Sequence, residues 1–380
     1  MESYDVLEVR AGEERVGTIA LYKGHLVAFE YAENWIYSGF SISPFSLPLQ
    51  KKLYIPQYDH FEGLFGVFAD SLPDGWGRLL VDRLLISEHI DPDKTDMLNR
   101  LAIVGNSGMG ALSYFPCHEW KSERSRLEYD RIANECKKIL ESEYSDDLDE
   151  LFRLGGSSGG ARPKILTTID DEEWIVKFPS STDIGNIGEA EYLYSLCAKK
   201  CGINMTETRL FPSKISAGYF GTKRFDRDKI ASDANKRIHM ISASALLEVS
   251  HRIPSLDYNS LMKLTLELTK DFTEVEKMYR LMCFNVYAHN RDDHSKNFSY
   301  LYNEDTDSWK LSPAYDLTYS SSIGGEHATC INGNGSDPSI KDLLAVAEKI
   351  GITKIRAKEI AEHTEQIIHE ELGRYLPFRT

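Results

Sequence analysis

AHNRDDHSKNFSY, residues 288–300, is the stretch on which the reading of this chain turns. It follows TEVEKMYRLMCFNVY, in which Val275, Met278, Met282 and Val286 recur at helical spacing. It precedes FSYLY, a strand-like run. A buried helix that hands a short polar loop to a strand presents rigid side chains at a cleft. Asp292 and Asn297 stand five positions apart in that loop. A carboxylate can accept the proton of an attacking hydroxyl, and an amide oxygen at that offset can ligate Mg²⁺, which is the spacing of a kinase catalytic loop. Asp293 competes with Asp292, but only Asp292 has the offset. His289 and His294 lack a convincing third ligand for zinc. A solvated charged turn is the plain alternative for the stretch taken by itself.

Working outward, YNEDTDSWK reads as a turn, and LSPAYDLTYSSS, residues 311–322, follows it. A hairpin with the catalytic loop at its start and an Asp beyond its end would bring Asn297 and Asp316 together. Magnesium prefers such oxygen ligands, with phosphate oxygens completing its shell. Upstream, LGGSSGGARPK, residues 154–164, fits neither the GxxxxGK[ST] phosphate loop nor a GxGxxG that opens a helix. It reads as a glycine loop between β-type segments, whose backbone N–H groups can cover phosphates. A flexible linker would also explain the glycines. KILTTIDDEEWIVKF then reads as a hairpin with an acidic turn. Lys177 on its second strand faces away from Val176 and Phe178 and can bridge phosphates as a point charge. Glu189 or Glu191, on the next predicted helix, would orient that lysine.

The rest of the chain supplies a frame. Residues 4–30 alternate as strands, and 79–85 carry a helical apolar face. GNSGMGALSYF, residues 105–115, reads as a tight turn and a strand. From about residue 240 the pattern is mainly helical, with a capping box of Thr273 and Glu276 and two amphipathic helices broken at Gly351. The expected fold class is α+β. An N-terminal mixed α/β domain spans 1–115 and a helical connection 116–150. A kinase-like pair of lobes follows, β-rich and small over 151–235, helical and large over 236–380. The net charge of -15 disfavours non-specific nucleic-acid binding. Six scattered cysteines without CxxC, no apolar leader and no long apolar run point to a reducing, cytoplasmic, non-membrane setting.

These residues resemble the HipA-type serine/threonine kinases, toxins of type II HipBA-like toxin–antitoxin modules. FSLPL, SLPDGWGR and IVGNSGMGAL are similar to that family's N-terminal domain. GGARPK, IVKFP, EAEYLYSLCAKKCGI, RFDR, DDHSKNFS, LSPAYDL and HATCINGNG are similar to its kinase domain. The resemblance implies Asp292 as catalytic base, Asn297 and Asp316 as Mg²⁺ ligands, and Lys177 on the phosphates of ATP. It implies Ser158, Gly159, Gly160 and Ala161 in the loop over them, and residues 222–225 as the hinge against adenine with Phe225 packing nearby. Glu191, His294 and Lys296 would support the site. Ser157, or Ser158 beside it, lines up with the serine that such kinases autophosphorylate to eject the loop. The implied partners are a HipB-like helix-turn-helix antitoxin, DNA mainly through that antitoxin, and a protein substrate. Aminoacyl-tRNA synthetases are among the family's targets. Two other readings are a catalytically weak antitoxin-binding module and a small-molecule kinase. RFDR and HATCING argue against the latter, and the full set of catalytic side chains against the former.

Overall fold

Alternating apolar residues near the N-terminus close into an antiparallel sheet. Its strand order is Leu53–Tyr54, Leu26–Tyr31, Glu14–Tyr22, Val6–Ala11 and Leu112–Phe115. Leu7, Val9, Val16, Ile19, Val27 and Phe29 are fully buried from it, as a one-faced period-two pattern requires. The computed structural model describes residues 3–118, 128–143, 145, 147–157, 159–180, 183, 186–230 and 233–376.

The helix Gly75–Ser87 buries Trp76, Leu80, Val81, Leu84 and Leu85. This stripe does not stay within the N-terminal part. It joins one core with Ile132, Cys136 and Ile139 of helix Tyr129–Leu140, Leu151 and Phe152 of helix Leu148–Gly155, and Ile165 and Val176 of the next hairpin. The segment read as a connection therefore packs its apolar face into a shared core. The chain forms two compact units: Met1–Gly188 with Arg209–Ile241 and Ala245–Glu248, and Glu189–Thr208 with Ser242–Ser244 and Val249–Thr380.

In the first unit, strands Lys164–Ile169 and Glu172–Lys177 form a hairpin within a four-stranded sheet that continues through Tyr219–Lys223 to Thr208–Phe211. Its turn residues Asp170 and Asp171 have φ of 52° and 59°. Positive φ at both central positions is what a tight hairpin of matching twist needs, and aspartate tolerates it.

In the second unit, helix Phe272–Tyr287 buries Val275, Met278, Met282 and Val286, and also Tyr279, Leu281 and Phe284, so more than one of its faces is covered. Helices Tyr258–Thr269, Ile340–Ile350 and Lys354–Leu372 and the hairpin Ser299–Asn303/Ser308–Leu311 belong to the same unit. The last two helices do part at Gly351, in the left-handed region at φ 95°. The cap of helix Phe272–Tyr287 differs from the expected Thr273–Glu276 box. Asp271 is the cap, its carboxylate accepting from Thr273 N at 2.8 Å. A carboxylate two residues earlier meets the first free amide and starts the helix sooner. Among the described residues, no helix is long and apolar enough to cross a membrane.

Candidate functional site

The first unit holds the glycine stretch, and its beginning is helical. Helix Leu148–Gly155 ends inside it, and Gly156 N donates to Phe152 O at 2.6 Å. The loop therefore links a helix to a strand, correcting the expected loop between β-type segments. A close backbone crossing explains Gly155: a Cβ there would stand 2.4 Å from the Lys164 carbonyl oxygen. Beyond it, residue 157 and residues 159–163 lead to the strand. Ser157 is 8% exposed, and its hydroxyl donates to Ser107 O at 2.9 Å. Ser158 lies outside the described residues. Gly159 and Ala161 are exposed, and Gly160 takes φ 87°. Arg162 is bound to Asp183 through both Nε and Nη2, at 3.0–3.2 Å. Burial tends to raise the Asp183 pKa, but Arg162 overrides it and holds the carboxyl below the ordinary range.

Lys177 is half-buried between buried Val176 and Phe178, with its ammonium 5.6 Å from the centre of the Phe220 ring. Directly opposite it in the hairpin register stands Lys164. Like charges facing across a strand pair are unfavourable. Lys164 is 7% exposed and donates to Gly159 O at 2.5 Å. Sequence reasoning passed over Lys164, although a two-residue turn at 170 and 171 pairs 169 with 172 and hence 164 with 177.

RFDR carries a buried ion cluster. Asp226, fully buried, accepts from Arg224 Nε and Nη2 at 2.9 and 2.7 Å, from Arg227 Nη1 at 2.8 Å and from Gly110 N at 2.7 Å. Glu173 takes Arg224 and Arg227 at 3.2 Å. Arg237 reaches the carbonyls of Asn106, Gly108, Gly110 and Leu112 at 2.7–3.0 Å. Burial and the neighbouring Arg227 push the Arg237 guanidinium down to about 10. Thus the GNSGMGAL turn supplies carbonyls to RFDR and Arg237. Phe225, half-buried between buried Arg224 and Asp226, breaks the run of charge.

The second unit holds the residues expected to form a catalytic loop. Asp292 is exposed, whereas its rival Asp293 is fully buried. Asp293 accepts from the Tyr258 hydroxyl at 2.8 Å and Thr329 N at 3.2 Å, and His327 Nδ1 lies 3.0 Å from it. Asn285 Nδ2 donates to the Tyr258 hydroxyl at 2.9 Å and Asn290 Nδ2 to Asn285 Oδ1 at 2.9 Å. Asn297 Nδ2 donates to the Asp292 carbonyl at 2.6 Å, so the amide oxygen is the end left out of that bond. The two strands after this loop pair as a hairpin: Tyr300 faces Leu311 and Ser312 N donates to Ser299 O at 2.9 Å. Past its end, the Tyr315 hydroxyl donates to Lys296 O at 2.6 Å. That bond ties the residue before Asp316 to the residue before Asn297. Asp316 sits at φ 58°, a sparsely populated conformation that clusters at functional sites. The His294 ring lies 5.4 Å from that of His251, and its Nδ1 is a buried atom without a hydrogen-bond partner among the described residues. Glu191 is 2% exposed on helix Ile187–Lys200 of this unit, with Glu189 half-buried in its first turn. Among the described residues, no group of three or more His, Cys, Asp or Glu could hold a metal.

Residues 156–372 match the HipA-like C-terminal domain model, and residues 7–115 match the HipA N-terminal domain model. No curated protein matches the chain in sequence. Among solved structures, the chain is similar to HipA of Shewanella oneidensis MR-1, from a complex of HipA, HipB and operator DNA. The TM-score is 0.73 at 19% identity, over 98% of this chain and 92% of that one. The Helicobacter pylori proinflammatory kinase CtkA gives a TM-score of only 0.36 at 15% identity, over 56% of this chain and 89% of that one.

Proposed function

The chain belongs to the HipA family, and from that premise we propose that it is an ATP- and Mg²⁺-dependent serine/threonine protein kinase, the toxin of a toxin–antitoxin pair. The observation that carries the reading is the division of labour between Asp292 and Asp293. Asp293 spends its carboxylate on Tyr258, His327 and Thr329, and so braces the loop from inside. Asp292 is thereby presented outward on a rigid backbone.

In the proposed reaction, a substrate serine or threonine hydroxyl attacks the γ-phosphorus of ATP. Asp292 takes the hydroxyl proton as the new P–O bond forms, and the bond to the β-phosphate oxygen breaks to release ADP. Lys177 holds the nucleotide phosphates, with residues 159–161 in the loop over them. Phe225 packs near adenine, and Glu191, His294 and Lys296 support the constellation. Asn297 and Asp316 would hold Mg²⁺. Both offer oxygen, the donor this cation takes, and nucleotide phosphates complete its shell. Bound there, the cation neutralises charge that develops on the phosphates.

A HipB-like helix-turn-helix antitoxin is the proposed partner, since the structurally similar HipA was solved with HipB and operator DNA. DNA would be reached mainly through that antitoxin, in keeping with a net charge of -15. The proposed substrate is a cellular protein. The test is Asp292→Asn, which should lower phosphoryl transfer about 10²–10⁴-fold while nucleotide still binds. Transfer equal to the wild type would refute the assignment.

A further inference from the structure

Asp74 occupies the N-cap position of helix Gly75–Ser87, yet its side chain makes no cap hydrogen bond to that helix. A cap aspartate ordinarily accepts from the second or third amide of its own helix. Here its carboxylate accepts from Gly160 N, in the glycine loop. The same turn grips the loop twice more. Trp76 N donates to Gly160 O at 3.1 Å. Gly75 lies so close that a Cβ there would stand 2.6 Å from Ala161 Cα and 2.7 Å from Gly160 O. On the other side of the same peptide, Lys164 Nζ donates to Gly159 O at 2.5 Å.

One peptide plane, Gly159–Gly160, is therefore held at both polar ends. Its N–H is taken by a carboxylate and its C=O by an ammonium. These are the two kinds of group, a loop amide and a lysine, that bind a phosphate. We propose that Asp74 is a latch: its carboxylate stands where a nucleotide phosphate oxygen would accept from the Gly160 amide, so it sets the affinity of the glycine loop for nucleotide. The proposal rests on the kinase reading above. Mg·ATP engages the loop by displacing Asp74 from Gly160 N and Gly159 O from Lys164. Gly160, at φ 87°, has the freedom that turning this peptide demands.

The test uses the full chain. Asp74→Asn keeps the size and one acceptor but removes the charge, and charge-assisted hydrogen bonds are about twice as strong as neutral ones. Titration calorimetry with Mg²⁺ and a non-hydrolysable ATP analogue should show Asp74→Asn binding about fivefold tighter than the wild type, and Asp74→Ala at least as tightly. Hydrogen exchange without nucleotide should be faster at residues 159–162 in both variants, with unchanged exchange in the sheet Val6–Ala11/Glu14–Tyr22 reporting an intact fold. Weaker or unchanged nucleotide binding would overturn the latch and make Asp74 a prop of the loop. Unchanged exchange would overturn it as well. Faster exchange with no nucleotide binding in any of the three proteins would overturn the kinase reading, and with it the competition, while upholding the clamp itself.

Discussion

Asp226→Asn is the sharpest probe of how the first unit is held. The wild-type carboxylate is fully buried and carries four hydrogen bonds of 2.7–2.9 Å, three from guanidinium groups and one from Gly110 N. Asparagine keeps the shape but no charge. Arg224, Arg227 and Arg237 would then share Glu173 and a set of backbone carbonyls. Breaking a buried ion pair from one side costs about 3–5 kcal/mol, and the retained amide oxygen favours the lower end. At about 2–4 °C per kcal/mol for a unit of this size, a loss of about 3 kcal/mol lowers the melting midpoint by about 6–12 °C. Burial tends to raise the Asp226 pKa, but Arg224 and then Arg227 override it and hold the carboxyl well below the carboxylate range. The folded value is depressed, so this stability is full above the ordinary value of about 4 and fades as pH falls toward the folded one. Differential scanning calorimetry of both proteins from pH 8 to pH 3 should show the gap narrowing below about pH 4. A midpoint within about 2 °C of the wild type at pH 7 would refute the reasoning.

The Glu248 carboxylate accepts from Gly66 N at 3.1 Å, and burial pushes its pKa up to about 7. A carboxyl raised in the folded state costs stability as pH climbs from its ordinary value toward the folded one, so Glu248→Gln should melt about 2–4 °C above the wild type at pH 8 and show no gain at about pH 4. A gain that does not depend on pH would reject the burial argument. Phosphopeptide mass spectrometry of protein incubated with Mg·ATP should find phosphate on Ser157 or Ser158. Because Ser157 is 8% exposed and bonded to Ser107 O, the modified loop should also become sensitive to protease. Unmodified peptides from an enzyme that phosphorylates other proteins would reject the site.

Local pattern determined much of this protein. Helical spacing at 275–286 and period-two alternation near the N-terminus are statements about which face meets a core, and a one-faced pattern has one such solution. The offset of Asp292 from Asn297 and the turn chemistry at 170–171 are equally local. A motif with a short-range geometric requirement is legible because a few residues contain the whole requirement. Tertiary structure decided the rest. DDH does not say which aspartate turns inward; Tyr258, His327 and Thr329, far away in the chain, draw Asp293 in. RFDR does not show along the chain that its Arg224 and Asp226 are buried; carbonyls of residues 106–112 and the Gly110 amide offer the partners that buried charges cannot forgo. LGGSSGGARPK looks like one loop, but a helix runs into it because Gly155 and Gly156 give the helix end room against Lys164 and Phe152. And Asp74, a plain helix cap by position, binds a loop amide 86 residues away. Such partners are set by packing in three dimensions, which no window along the chain contains.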